Sequence, residues 1–267
     1  MTVAMPGRLP AAKRSDGGLK GAVASEWTKF WSVRGTMWTL LAGTALLLGG
    51  VALAAISTRS QHEDGTTDAF TSSAPFVGAT AVAFLAQWAV AVLGVMVITS
   101  EYSTGTIRAT TQWVPNRGRV LLAKVLLLVP VLFVLGLVFG GAALILSDIG
   151  LGEYGEPYTD AAAYDTVIGI ALYMPMLGVF ALGLGTLLRN VAGAISVLFV
   201  ILLIVPILLP GLNLGAIADY LPGDAGANLM RASTGEPYGQ AVGGLIMLGW
   251  TLASIYAGYV TLRSKDA

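Results

Sequence analysis

The sequence predicts an all-α integral membrane protein of six transmembrane helices, and three observations predict it. Of 267 residues, 55% are hydrophobic and only 11% charged, under half the charged share of an ordinary soluble domain, so polar surface is too scarce to coat a globule in water. Six apolar runs each reach the roughly 20 residues that a helix needs to cross the hydrocarbon core. None alternates polar and apolar positions as a barrel strand does, which leaves helices as the way to satisfy the backbone in lipid.

In chain order, residues 1–17 are polar and predict a disordered cytoplasmic tail, followed by a single transmembrane domain over residues 18–267. No short apolar leader precedes Thr36, so no cleaved secretory signal is expected; Ala52-Leu53-Ala54 resembles a cleavage site but follows a full-length span. Residues 18–34 predict an interfacial amphipathic helix, with Val23, Trp27, Phe30 and Trp31 near one face and Lys20, Glu26, Lys29 and Arg34 around them. The spans follow at residues 36–56, 76–99, 120–146, 166–188, 191–210 and 241–262. Residues 57–75 and 147–165 are rich in Gly, Ser and acids and read as solvated loops, whose acids would alternatively attract cations. Only a few residues around Arg189-Asn190 join the fourth and fifth spans, which makes a tight hairpin. Residues 211–240 are too polar to span and are punctuated by Pro222-Gly223. They predict two short helices, a re-entrant piece against the outer face whose backbone needs protein or a water-filled cavity around it.

Orientation follows from where Lys and Arg fall. One set of flanks holds Arg8, Lys13, Arg14, Lys20, Lys29, Arg34, Arg108, Arg117, Arg119, Lys124, Arg189, Arg263 and Lys265, which is 13 of the 15 cations. The other holds Arg59, Arg231 and most of the acids. Both termini are therefore expected in the cytoplasm of a multi-pass cell-membrane protein. A formal net charge of zero lacks the basic footprint of a nucleic-acid binder. With no Cys and His62 the one histidine, thiolate metal sites, disulfide frameworks and Cys nucleophiles are excluded, and no metal site is expected.

The sizeable cytoplasmic loop, SEYSTGTIRATTQWVPNRGRVLLAK, joins the second and third spans. Glu101 stands at the membrane exit, Gly105-Thr106-Ile107-Arg108 follows, and Pro115, Arg117, Arg119 and Lys124 lie downstream. Gly105 permits a sharp turn, and Pro115 ends the piece before a basic anchor. The pattern suggests a short helix along the cytoplasmic surface; a loop whose cations only hold orientation is the alternative.

Over its whole length the chain resembles the permease subunits of type-2 ATP-binding-cassette exporters. The resemblance rests on the entry helix with Glu26, Trp27, Lys29 and Trp31, on six spans, on Glu101-x-x-x-Gly105-Thr106-Ile107 with Pro115, Arg117 and Lys124 downstream, and on the re-entrant segment. The Gly/Ala content and the Ser-Glu-Trp-Thr-Lys start look like actinobacterial members. The resemblance implies that this loop is a coupling helix, docking through Thr104 to Gln112 in a separate nucleotide-binding subunit, with Glu101 and Arg108 fixing its angle. It also implies a second permease chain, identical or not, with ATP and magnesium on the partner subunit. No G-x-x-x-x-G-K-[ST] phosphate loop occurs in the chain, so it is expected to be non-catalytic.

Ionisable residues are nearly absent inside the spans, which argues against a proton-coupled carrier. Gln87, beside Trp88, is either interhelical glue or a substrate contact. Tyr173, Met174 and Pro175 mark a kink that either shapes a cavity or serves packing. Gly136-x-x-x-Gly140 and Gly178, Gly183 and Gly185 would permit close helix approach. An interior offering Trp, Tyr, Met and Gln points to an amphipathic substrate such as a drug, peptide antibiotic or lipid. A motor-independent transporter or channel, and a regulatory subunit that binds an ATPase without transporting, are the rival readings.

Overall fold

The computed structural model describes residues 18–63, 73–106, 117–231 and 237–264. Helix α1 is Gly18–Ser32 and α2 is Arg34–Glu63. Helix α3 runs Ala74–Ser103 with a π turn at Val82–Ala86. Helix α4 is Arg117–Leu151, followed by a 3-10 turn at Gly152–Tyr154, and α5 is Asp160–Leu188. Helix α6 runs Val191–Gly211 with a π turn at Val200–Ile204. Two short helices follow, α7 (Gly215–Ala218) and α8 (Pro222–Met230), before α9 (Gln240–Ser264). Among the described residues there is no strand, only one isolated bridge between Ser73 and Glu156.

Among the described residues six helices, α2 to α6 and α9, are long and apolar enough to cross a membrane, so the chain is a multi-pass membrane protein. Its outer surface agrees. Trp38, Leu41 and Leu53 on α2, Val134 and Ile145 on α4, Ile207 on α6, and Leu245 and Tyr256 on α9 are exposed, a surface suited to lipid rather than water. In lipid the hydrophobic effect does not hold helices together, so close van der Waals packing must.

The centre of that packing is α5, flanked by α4, α9 and α3. Backbone approach is closest at glycines. A Cβ on Gly94 of α3 would strike the Gly178 carbonyl of α5, and one on Gly183 of α5 would lie 2.6 Å from the Ser254 backbone of α9. The Gly136-x-x-x-Gly140 pair, expected from sequence to permit close contact, does so: its Cβ positions would lie 2.7 Å from Ala171 and 3.1 Å from Val167 of α5.

Several boundaries differ from the sequence expectation. Residues 57–63, read as loop, extend α2 to Glu63, and residues 147–151 extend α4. Hydropathy marks only the apolar part of a helix, whereas the hydrogen-bond ladder continues wherever water can satisfy the side chains. The second outer loop is correspondingly short: Thr159 caps α5 by accepting from the Ala162 N–H, and the Tyr158 hydroxyl donates to Asp148 at 3.2 Å. The tight hairpin at Arg189-Asn190 is present. Arg189 closes α5 in the left-handed region (φ 54°), and the Asn190 side chain caps α6 by accepting from the Gly193 N–H at 2.9 Å. Two short helices do form within residues 211–240, and α8 is wedged among α5, α9 and α3 with Ala225, Gly226, Leu229 and Met230 buried. Pro222 begins α8 rather than merely punctuating the segment, its missing N–H falling where a helix needs none.

In α1 the buried stripe is Ala22, Glu26 and Phe30. Of the residues expected near one face, Phe30 packs inward, while Trp27 and Trp31 point away from the bundle and meet edge to face at 5.7 Å. Glu26 takes the inward position because its charge has partners there.

Candidate functional site

At the end of the bundle where α1, the start of α2, the end of α3 and the start of α4 meet, four charged side chains converge. Lys124 of α4 is fully buried. Its ammonium donates to Glu26 Oε2 at 2.7 Å, Glu101 Oε1 at 2.6 Å and the Val97 carbonyl at 3.1 Å, using all three of its protons. Lys29 of α1 donates to Glu26 Oε1 at 2.8 Å and Glu101 Oε1 at 3.1 Å. Two acids and two bases thus cancel, and the set ties α1, α3 and α4 together.

Sequence patterning named Glu26, Lys29 and Glu101 without joining them, and it counted Lys124 among the loop cations. Lys124 also falls just inside the span expected at residues 120–146, and the structure buries it near the start of α4, one of the few charges that a span carries. The signal available was a lysine several residues into an apolar run, which demands an acid nearby. Lys29 lies outside the membrane-crossing helices and is half exposed. Burial alone would lower its pKa, but the hydrogen bond to Glu26 and the charges of Glu26 and Glu101 outweigh that and hold it above the ordinary lysine value.

Beyond the cluster, α3 ends as its loop residues suggest. Thr104 closes the helix, its N–H bonded to the Ser100 carbonyl at 3.1 Å, and Gly105 turns out of it at φ +71°. Thr104 and Thr106 hydroxyls pair at 2.9 Å. Ile107, Arg108 and the rest of the expected coupling helix through Gln112 lie outside the described residues.

Among the interior candidates, Gln87 and Tyr173 belong together. The Tyr173 hydroxyl donates to Gln87 Oε1 at 2.5 Å with both side chains buried. The π turn just before Gln87 shifts backbone pairing from i−4, and the Ala83 carbonyl accepts from the Gln87 side chain. Tyr173 also fits beneath Gly226 of α8, where a Cβ would strike its ring. Met174 and Pro175 are buried in α5, which continues through Pro175. Trp88 lies apart from them, donating to the Phe84 carbonyl at 2.9 Å with its ring 5.3 Å from Phe199 of α6.

At the opposite end, burial raises the Asp224 pKa, the nearby Asp219 charge adds to this, and Arg231 partly opposes it. The Arg231 guanidinium lies 5.1 Å over the Phe76 ring. Among the described residues no group of His, Asp and Glu is arranged to hold a metal ion. The chain matches no protein-family model and no curated protein sequence.

Proposed function

We propose that the chain is the transmembrane permease subunit of an ATP-driven exporter of the type-2 ATP-binding-cassette class, passing an amphipathic substrate such as a drug, peptide antibiotic or lipid. The observation that carries this reading is the Glu26–Lys124–Glu101 cluster, because it roots the start of the Glu101-Gly105-Thr106 loop in three helices at once. A displacement applied to that loop would be passed to α1, α3 and α4 as one body rather than absorbed in a flexible stalk.

The motor would be a separate ATPase holding ATP and magnesium, docked on the segment that begins at Thr104, and a second permease chain would complete the pathway. Helix α1 would lie in the membrane interface with Trp27 and Trp31 at headgroup depth. Helices α7 and α8 would be the re-entrant segment, with α8 enclosed by α5 and α9 and α7 packed on the end of α6. The cationic flanks would place both termini in the cytoplasm.

A buried ionic cluster also favours a second reading, a motor-independent carrier that uses it as a relay. All three Lys124 protons are engaged by acceptors, which speaks for a fixed joint. The test is a pull-down of the tagged chain from mild detergent, comparing wild type with Gly105→Pro, followed by ATP-dependent flux in vesicles. Recovery of an ATPase with wild type, its loss with the variant and flux that requires ATP are expected. Flux without any ATPase would replace this proposal with the carrier, and an ATPase bound without flux would replace it with a regulatory subunit.

A further inference from the structure

A cavity of about 370 Å³ opens beside the charge cluster, between α1, the start of α2 and the end of α3. That volume falls within the roughly 300–1,000 Å³ of small-molecule sites. Its walls are largely apolar, with Phe30, Val33, Met96 and Leu127, while Lys29 and Glu101 border it from the cluster.

Two valences of the cluster remain unfilled beside this cavity, the Lys29 ammonium at its surface and one Glu101 carboxylate oxygen just behind its wall, which a turn of that side chain would present. Glu101 is 6% exposed, and its Oε2 is buried without a hydrogen-bond partner among the described residues, although buried polar atoms are ordinarily paired. Lys29 has two acceptors for three protons, and 43% of its side chain is exposed. The site therefore asks for one donor and one acceptor on the same molecule, next to an apolar tail. The four cluster charges already cancel, so a guest of net charge would leave that charge uncompensated in a poorly solvated place, whereas a zwitterion would not. The exposed Trp38 and Met37 on the adjoining turn of α2 place the site where lipid would reach it.

We infer that this cavity binds a zwitterionic glycerophospholipid whose headgroup carries a primary ammonium, with the ammonium donating to Glu101 Oε2, the phosphate accepting from Lys29 and an acyl chain running along Phe30, Val33 and Met96. The inference requires only that the chain sit in a membrane, and stands whether or not the chain exports anything. A trimethylated headgroup has no N–H to donate, so it satisfies Lys29 and leaves Glu101 unpaired. Such a lipid would bridge α1 to α3 and act as a removable part of the cluster.

Native mass spectrometry of the delipidated protein, titrated separately with phosphatidylethanolamine, phosphatidylcholine and phosphatidylglycerol of the same chains, tests this. Ethanolamine lipid should be retained at about tenfold lower concentration than choline lipid. Thr36→Trp, which fills the cavity from α2, should abolish the preference while the helical circular dichroism is unchanged. Equal retention of ethanolamine and choline lipids would overturn the inference. So would preference for the glycerol lipid, which would mean that Lys29 alone attracts anions, or a preference that survives Thr36→Trp, which would place the lipid elsewhere.

Discussion

Lys124 shows how one side chain can decide local order in this protein. A buried ammonium is tolerated only because two carboxylates and a carbonyl accept its three protons. Removing it leaves Glu26 and Glu101 buried beside each other with one cation between them, and breaking a buried pair from one side costs about 3–5 kcal/mol. Lys124→Met should therefore destabilise the protein by that order in denaturant unfolding in detergent micelles. A loss below about 1 kcal/mol would mean that water enters the cluster and the ion pairs are not the joint described. Lys29 gives a weaker, pH-dependent counterpart. Its folded pKa is raised above 10.5, so its stabilisation is complete below that value and disappears as pH rises through the folded pKa. Melting temperatures of wild type and Lys29→Met should differ near neutral pH and converge in strongly alkaline buffer; a gap that persists there would show that the lysine acts through its aliphatic stem.

Helix against helix, the decisive positions are glycines, because apolar tails of lipid compete with apolar side chains and only close backbone approach adds enough contact. Gly94 on α3 faces the Gly178 backbone of α5 so closely that no Cβ fits. Overpacking of this kind usually costs about 1–3 kcal/mol, and with backbone rather than a movable side chain opposite, Gly94→Leu should reach the upper part of that range. Lowered yield of folded protein in a thermal aggregation assay checks it, with Gly49→Leu, where a Cβ meets open space, as the control that should lose little. The six spans, the Arg189-Asn190 hairpin and the two short helices before α9 were legible in the sequence because each is written in consecutive residues. Helix ends were not, since α2 continues seven residues past the apolar run into Glu63, where polarity resembles a loop. The cluster was illegible for a different reason: its partners lie 98 and 23 residues from Lys124, and a pattern in one segment says nothing about which other segment completes it. The inward face of α1 was illegible likewise, because Glu26 reads as a surface residue until Lys124 is placed opposite.

For the molecule as a whole, the alternation of six spanning helices sorts the charges between two ends. Lys20, Lys29, Arg34, Arg119, Lys124, Arg189 and Arg263 gather where α1 and the end of α9 lie, and the Arg189 guanidinium donates to the Thr261 carbonyl across that end at 3.2 Å. Asp148, Glu153, Glu156, Asp160, Asp219 and Asp224 gather at the other. Cations are retained on the cytoplasmic side during insertion, so the α1 end should face the cytoplasm. The absence of native cysteine makes each introduced thiol a unique label. Glu153→Cys, on the exposed turn after α4, should react with a membrane-impermeant maleimide on intact cells. Thr106→Cys, exposed just beyond Gly105, should react only after permeabilisation. The opposite pattern would put the Glu101-Gly105-Thr106 loop outside the cell, where no cytoplasmic ATPase can reach it, and would end the exporter proposal while leaving the six-helix fold and the lipid cavity untouched.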